Sequence, residues 1–183
     1  MTARTAILLN ALALYGLAAV LLMGFGFQVM RRELPCPLCL LQRVAFVALA
    51  VGPILNIRFG PRPRHYAMSL LAAVVGFGIA LRQVMLHIMP GDPGYGTAIF
   101  GLHYYSWAAI IFAAAIALIA IVMLFERQFE IMIAAQRPPA FAVAAVWLMI
   151  VITAANAAAT FLECGLDVCP DNPVRYEMLQ GGR

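Results

Sequence analysis

Four cysteines stand in two close pairs, Cys36 with Cys39 and Cys164 with Cys169. Thiols at such spacings can exchange disulfides, hold a metal or brace a loop. The first pair lies in Leu34-Pro35-Cys36-Pro37-Leu38-Cys39-Leu40-Leu41-Gln42-Arg43, at the mouth of an apolar block, where Pro37 suits the first turn of a helix. At a helix start, the positive end of the dipole stabilises whichever sulfur is a thiolate. That favours the reduced pair and raises its oxidising power. Arg43 follows Cys39 by four residues, on the same helix face, from where its guanidinium is expected to reach toward the sulfur. An ionisable side chain at a membrane edge is costly and marks a functional site, although simple snorkelling competes as an explanation.

The second pair has Gly165 within its loop and is flanked by Glu163 and Asp167, which by like-charge repulsion should disfavour a thiolate there. The two pairs are thus electrostatically unlike, as a relay requires. Other readings of the cysteines stay open. All four could close a tetrahedral zinc site without turnover, or the pairs could be static disulfides, with the tail bond pinning a cap over the bundle. Haem attachment is disfavoured because Leu40, not His, follows Cys39.

The elements that must position these sulfurs are five apolar blocks, Leu8 to Val29, Leu40 to Ile57, Tyr66 to Met89, Tyr104 to Phe125 and Phe141 to Leu162. Hydrophobic residues make up 64% of the 183-residue chain and charged ones only 11%, too little polar surface to coat a soluble globule of this size. Each block is roughly 18 to 24 residues, enough at about 1.5 Å per residue to cross a hydrocarbon core about 30 Å thick. The predicted fold is therefore an all-α integral membrane protein forming one domain, with a tail from Glu163 to Arg183. The first block is read as a retained helix and not a cleaved signal peptide, because it is long and runs without a small-x-small site into Arg31-Arg32-Glu33. Gly60-Pro61-Arg62-Pro63-Arg64, Pro90-Gly91-Asp92-Pro93-Gly94 and Arg137-Pro138-Pro139 mark the turns between blocks.

Four blocks separate the cysteine pairs, and an even number of crossings returns the chain to the same face of the membrane. With the N-terminus inside, the inner segments hold Arg4, Arg58, Arg62, Arg64, Arg127 and Arg137, against Arg31, Arg32, Arg175 and Arg183 outside. The bias places both pairs outside, which in a bacterial inner membrane means the oxidising periplasm. The net charge of +4 reads as topology; no basic cluster with interleaved aromatics suggests nucleic acid.

Cys-Pro-Leu-Cys with Arg43 at the fourth following position resembles the disulfide bond formation protein B (DsbB) family of quinone-linked membrane oxidases. Arg64-His65-Tyr66-Ala67-Met68, Arg82-Gln83-Val84-Met85-Leu86-His87 and Gly101-Leu102-His103-Tyr104-Tyr105-Ser106-Trp107 continue the likeness in order, so that it spans roughly Leu34 to Phe125. The resemblance implies a four-helix bundle around a quinone, ubiquinone or menaquinone, at its outer edge. In that picture Cys39 faces the quinone, Arg43 holds a quinone carbonyl, Cys36 takes electrons from the second pair, and Arg82 and His87 join the cofactor site. The implied partner is a periplasmic thioredoxin-fold thiol oxidase, DsbA-like, or another periplasmic dithiol protein.

The chain departs from the family pattern in one respect. The family's second pair lies between the third and fourth helices, but Pro90 to His103 contains no cysteine, and Cys164 and Cys169 follow an added fifth helix. The expected activity is transfer of electrons from a dithiol partner through Cys164/Cys169 and Cys36/Cys39 to quinone. The alternative is a non-catalytic accessory membrane subunit with structural disulfides, whose small-residue face Ala154-Ala155-Asn156-Ala157-Ala158-Ala159 packs against neighbours.

Overall fold

A computed structural model describes residues 1–129 and 138–180. Arg137, with the start of its turn, and Arg183 lie outside the described residues. The long helices are α1 (Ala3–Met30), α2 (Pro37–Phe59), α3 (Pro63–Leu86), α4 (Tyr104–Met123) and α5 (Ala140–Cys164), with a short α6 (Glu177–Gln180) in the tail and a 3-10 turn at Glu126–Gln128. All five long helices are long and apolar enough to cross a membrane. Their outward faces carry exposed Leu12, Leu22, Val44, Leu71, Val75, Leu118, Trp147 and Val151, a surface that suits lipid and not water.

Helix ends differ from the apolar blocks where local chemistry overrides hydropathy. α2 starts at Pro37 because Cys36 serves as its N-cap: the Cys36 sulfur accepts the Cys39 backbone N–H at 3.2 Å. α3 stops at Leu86, short of Met89, with His87 as its C-cap. α5 runs on through Glu163 and Cys164, so the tail begins at Gly165, whose φ of 65° suits a residue without a Cβ.

In space the order is α5, α1, α2, α3, α4, with α5 also reaching α2. The α5 side of its seam is Ala142, Ala145, Met149, Ile152, Asn156, Ala159 and Glu163, an alternation of three and four residues that keeps one narrow stripe on its partner. Its alanines permit the close approach that drives helix association in lipid. Deeper in the bundle, Phe112 of α4 stacks on Phe46 of α2 at 4.1 Å between ring centroids. Gly76 of α3 makes room for it, since a Cβ there would stand 2.5 Å from the Phe112 ring.

One end of the bundle is tied by buried polar side chains. Asn56 donates to Asn10 (3.0 Å) and accepts the Arg62 amide (3.1 Å), with His65 Nδ1 at 2.9 Å from the same oxygen. Asn10 donates to Tyr66, and Tyr66 donates to Gln128. The network joins α1, α2, α3 and the turn after α4, leaving these polar groups partnered where no water reaches.

Candidate functional site

The other end holds the sulfurs. Cys36 and Cys39 are free thiols, the first buried and the second partly so, whereas Cys164 and Cys169 form a disulfide. Three residues surround the free pair that the cysteine spacing did not reveal. Gln83 of α3, 1% exposed, donates from Nε2 to both sulfurs, at 3.3 Å to Cys36 and 3.5 Å to Cys39. Its own carbonyl accepts Gln42 Nε2 at 2.8 Å, which fixes the amide's orientation. The loop residue Tyr95 donates to the Leu34 carbonyl at 2.7 Å, just before the pair. Burial, chiefly, holds the Tyr95 hydroxyl above its ordinary pKa, so it remains a donor.

The Cys36 thiol is drawn down to about 7 by the Cys39 side chain first, then by the Cys39 amide, Gln83 and the Leu38 amide, against an upward push from burial. The helix mouth therefore favours the thiolate on Cys36 in particular.

Arg43 does not point its hydrogen bonds at sulfur, as its spacing from Cys39 suggested. It donates to Gln28 Oε1 (2.7 Å), to Asn156 Oδ1 (3.2 Å) and to the Gly24 carbonyl (3.0 Å), oxygen acceptors on α1 and α5 that are better partners than a thiol. The sulfurs, Glu163 and Tyr176 all lie within reach of its charge. Glu163 is not a solvated flank of the tail pair: it is fully buried on the α5 seam, two turns beyond Asn156, while Asp167 is exposed.

The tail folds back over this end. Tyr176 accepts Gln28 Nε2 at 3.1 Å, α6 packs on α5, and Met178 sits over Gly165. Helix rise gives the relative levels. Cys39 stands four residues outward of Arg43, about 6 Å, and Cys164 eight residues outward of Asn156, about 12 Å. Because Arg43 bonds Asn156, both sulfur sites lie beyond one contact, toward the same rim.

A cavity of about 140 Å³ opens beside Cys39 and Arg43, walled by Leu21, Phe27, Phe46 and Ile111, with Gln28, Gln42 and Tyr104 adding polar atoms. Tyr95 and Gly96 roof it, and Glu33 clamps that loop by accepting from the Thr97 amide (3.1 Å) and hydroxyl. Val20 and Ile111 are shared with a second cavity of about 510 Å³, an apolar groove running along α1 and α4. Cys36 does not line the first cavity, and neither does Arg82 or His87. Arg82 is exposed, because its neighbour Gln83 takes the inward face and successive helical residues diverge by about 100°. His87 turns outward to Asp92 at 3.0 Å and stacks on Tyr105. Among the described residues, no three His, Cys, Asp or Glu side chains are grouped to hold a metal.

Gln28, Gln83, Asn156 and Glu163 share one sequence signal, a polar side chain within or at the edge of an apolar block, which by default marks function in a membrane protein. Comparison with known proteins points to the same region. Curated relatives that match it carry the name "Disulfide bond formation protein B". That of Xanthomonas axonopodis pv. citri (strain 306) is 48% identical over 63 residues, 32% of this chain and 37% of the relative. That of Aromatoleum aromaticum is 39% identical over 87 residues, 44% and 52% of the two chains. That of Marinobacter nauticus is 35% identical over 79 residues, 41% and 47%. The chain thus spans about a third to a half of the length of these relatives. No solved structure matches it. The family model described as "Disulfide bond formation protein DsbB" matches residues 4–97, which takes in Cys36, Cys39, Arg43 and Gln83 but stops short of α4 and the tail pair. With just over half its length matched by that model, the chain belongs to the disulfide bond formation protein B family.

Proposed function

We propose that the protein is a membrane thiol-disulfide oxidoreductase that oxidises a dithiol partner at the periplasmic face of a bacterial inner membrane and passes the electrons to quinone. The observation that carries this reading is the gathering, at one rim, of a joined cysteine pair, a free pair and a cavity reached by Cys39 and Arg43.

In the first exchange a partner thiolate attacks the Cys164–Cys169 bond, and the partner's second thiol resolves the mixed disulfide. The partner leaves oxidised and the tail pair reduced. Leu166 and Val168, inside the tail loop and more than nine-tenths exposed, offer the partner apolar contacts beside the sulfurs. In the second exchange a tail thiolate attacks Cys36 of a Cys36–Cys39 disulfide, releasing Cys39, and the second tail thiol then displaces Cys36. The tail is again joined and the helix-mouth pair holds two electrons. The thiolate-favouring surroundings of Cys36 suit it as the leaving group of that last displacement.

The cavity fits a quinone on chemical grounds. Its walls are apolar and aromatic, Arg43 makes three hydrogen bonds and so has two N–H groups to spare for a carbonyl, and the adjoining α1/α4 groove suits an isoprenoid tail. A bound quinone supplies a two-electron, two-proton sink, which is what rejoining Cys36 to Cys39 requires. The protein's own work is to hold Cys39 at that cavity and keep water out with the Tyr95–Gly96 roof.

The test uses purified full-length protein with a reduced thioredoxin-fold dithiol protein and a soluble quinone, following quinone absorbance and partner thiols together. Equal loss of quinone and thiol pairs is expected, and Cys36→Ser or Cys39→Ser should abolish both. Changing Cys164 and Cys169 together to Ser should stop turnover with the protein partner but spare it with a small dithiol that reaches Cys36 directly. Normal turnover by the Cys36 and Cys39 variants would leave the accessory-subunit reading in its place.

A further inference from the structure

Tyr104 is the first residue of α4, and its phenol oxygen is buried without a hydrogen-bond partner among the described residues. It stands on the wall of the cavity that Cys39 and Arg43 also line. Its surroundings leave little freedom. The ring packs against Phe27 of α1 at 5.2 Å, and Gly96 of the roofing loop lies over it, where even a Cβ would already touch the ring edge at 3.4 Å. Phe27 and the roof thus fix the ring, while its hydroxyl, an obligatory donor when desolvated, finds no acceptor among the described residues.

A buried O–H left idle in a protein interior costs roughly as much as a lost hydrogen bond, so an orphan on a cavity wall points to an occupant that accepts from it. Nearby side chains direct their hydrogen bonds to other partners. Gln42 serves Gln83, Glu33 serves Thr97, and Tyr95 serves Leu34. Arg43 approaches the cavity from α2 and Tyr104 from α4. An acceptor with oxygens at opposite ends of one flat ring matches donors arriving from two different helices.

Resting on the reading of this cavity as a quinone site, we infer that Tyr104 donates a hydrogen bond to the quinone carbonyl that Arg43 does not hold. The hydroxyl thereby selects ring orientation and helps fix which face of the quinone meets Cys39. Tyr104 is on this account a binding and orienting residue whose donor atom, not its ring, does the work.

Isotope-edited infrared difference spectroscopy on detergent-purified protein loaded with carbonyl-labelled ubiquinone tests this without turnover. In the wild type, two bound carbonyl bands are expected below the frequency of free quinone, one for each donor. Tyr104→Phe keeps the ring and its Phe27 contact; it should return one band toward the free frequency, leave the other in place, and weaken quinone binding about fivefold. Placing 3,5-difluorotyrosine at position 104 sharpens the donor and should move the same band the opposite way. Two unchanged bands in both proteins would overturn the assignment to Tyr104 while leaving the quinone site standing. Wild-type protein that binds no labelled quinone would overturn the site and, with it, this inference.

Discussion

Gln83 is the residue through which the thiol chemistry is most cleanly perturbed, because it touches both sulfurs and is inaccessible to solvent. Gln83→Leu keeps the volume and removes the amide. A hydrogen bond to an ionised group is worth about 1.5–3 kcal/mol, and each pKa unit is about 1.4 kcal/mol. Gln83 is third among the influences that lower Cys36 and divides its N–H donors between two sulfurs, so the lower end of that range applies. The Cys36 pKa should rise from about 7 by roughly one unit. At pH 6 the thiolate fraction then falls about tenfold, and with it the rate of alkylation.

The assay is the pH dependence of iodoacetamide labelling at Cys36 in the reduced protein, read by mass spectrometry of the peptide containing both thiols. The expected result is a titration midpoint displaced upward, with the limiting rate at high pH little changed. Gln42 loses its acceptor at the same time, which costs stability by about 1–3 kcal/mol, so folding is checked by thermal melting. Gln42→Leu alone supplies the control, since it carries that stability loss while Gln83 remains. If the midpoint of folded Gln83→Leu stays where the wild type's is, Gln83 does not set the thiol's acidity and the account of this site is wrong.

Three further outcomes follow from the same structure. Cys36 has a folded pKa of about 7 against 9.0 unperturbed, so its contribution to the stability of the reduced form is fully present above pH 9 and disappears as pH falls through 7; chemical denaturation from pH 6 to 9 should show stability rising with pH, and Cys36→Ser should flatten that part of the profile. Asn56→Ala strands Asn10, His65 and the Arg62 amide at the opposite end, and should destabilise the bundle by on the order of 2 kcal/mol or more in denaturant unfolding, with the Cys36 labelling midpoint unmoved. Gly76→Ala drives a Cβ into the Phe112 ring and should lower the melting temperature through an overpacking cost of about 1–3 kcal/mol; an unchanged melting temperature would refute tight packing of α3 on α4 at this point.

Membrane helices and cysteine spacing were the legible parts of the sequence, because both are one-dimensional signals. An apolar run of the right length becomes a long helix whatever surrounds it, and the Cys36-Pro37 step places a helix start by itself. Direction within the bundle was not legible. Arg43 lies on the expected face relative to Cys39, yet its hydrogen bonds go to Gln28 and Asn156, partners that are 15 and 113 residues away. Arg82 and Gln83 are adjacent, and nothing in their order says that the amide and not the guanidinium is the inward one. Glu163 read as a charged flank because it precedes a cysteine. The spacing of seven from Asn156 was the better guide, since it puts both polar residues on one seam.

That seam changes how the fifth helix should be understood. A helix added only to return the tail to the right side of the membrane would satisfy parity with any apolar sequence. α5 instead supplies the Asn156 oxygen that holds Arg43, carries Glu163 along the same stripe, and ends in Cys164. The Tyr15 hydroxyl binds the Phe141 carbonyl near the far end of α5, so the helix is fixed to α1 along its length. Polar contacts between helices in lipid are typically worth only about 0.6 kcal/mol each, which makes the number and placement of these contacts matter more than any one of them. Moving α5 would disturb Arg43 and the tail sulfurs together. The network of Asn10, Asn56, His65, Tyr66 and Gln128 completes the division of labour: one end of the bundle is cross-tied by satisfied polar groups, and the other keeps the free thiols together with the Tyr104 hydroxyl and Glu163 carboxylate oxygens that have no partner among the described residues. A rigid far end allows the near end to hold unsatisfied groups in position without collapsing onto them.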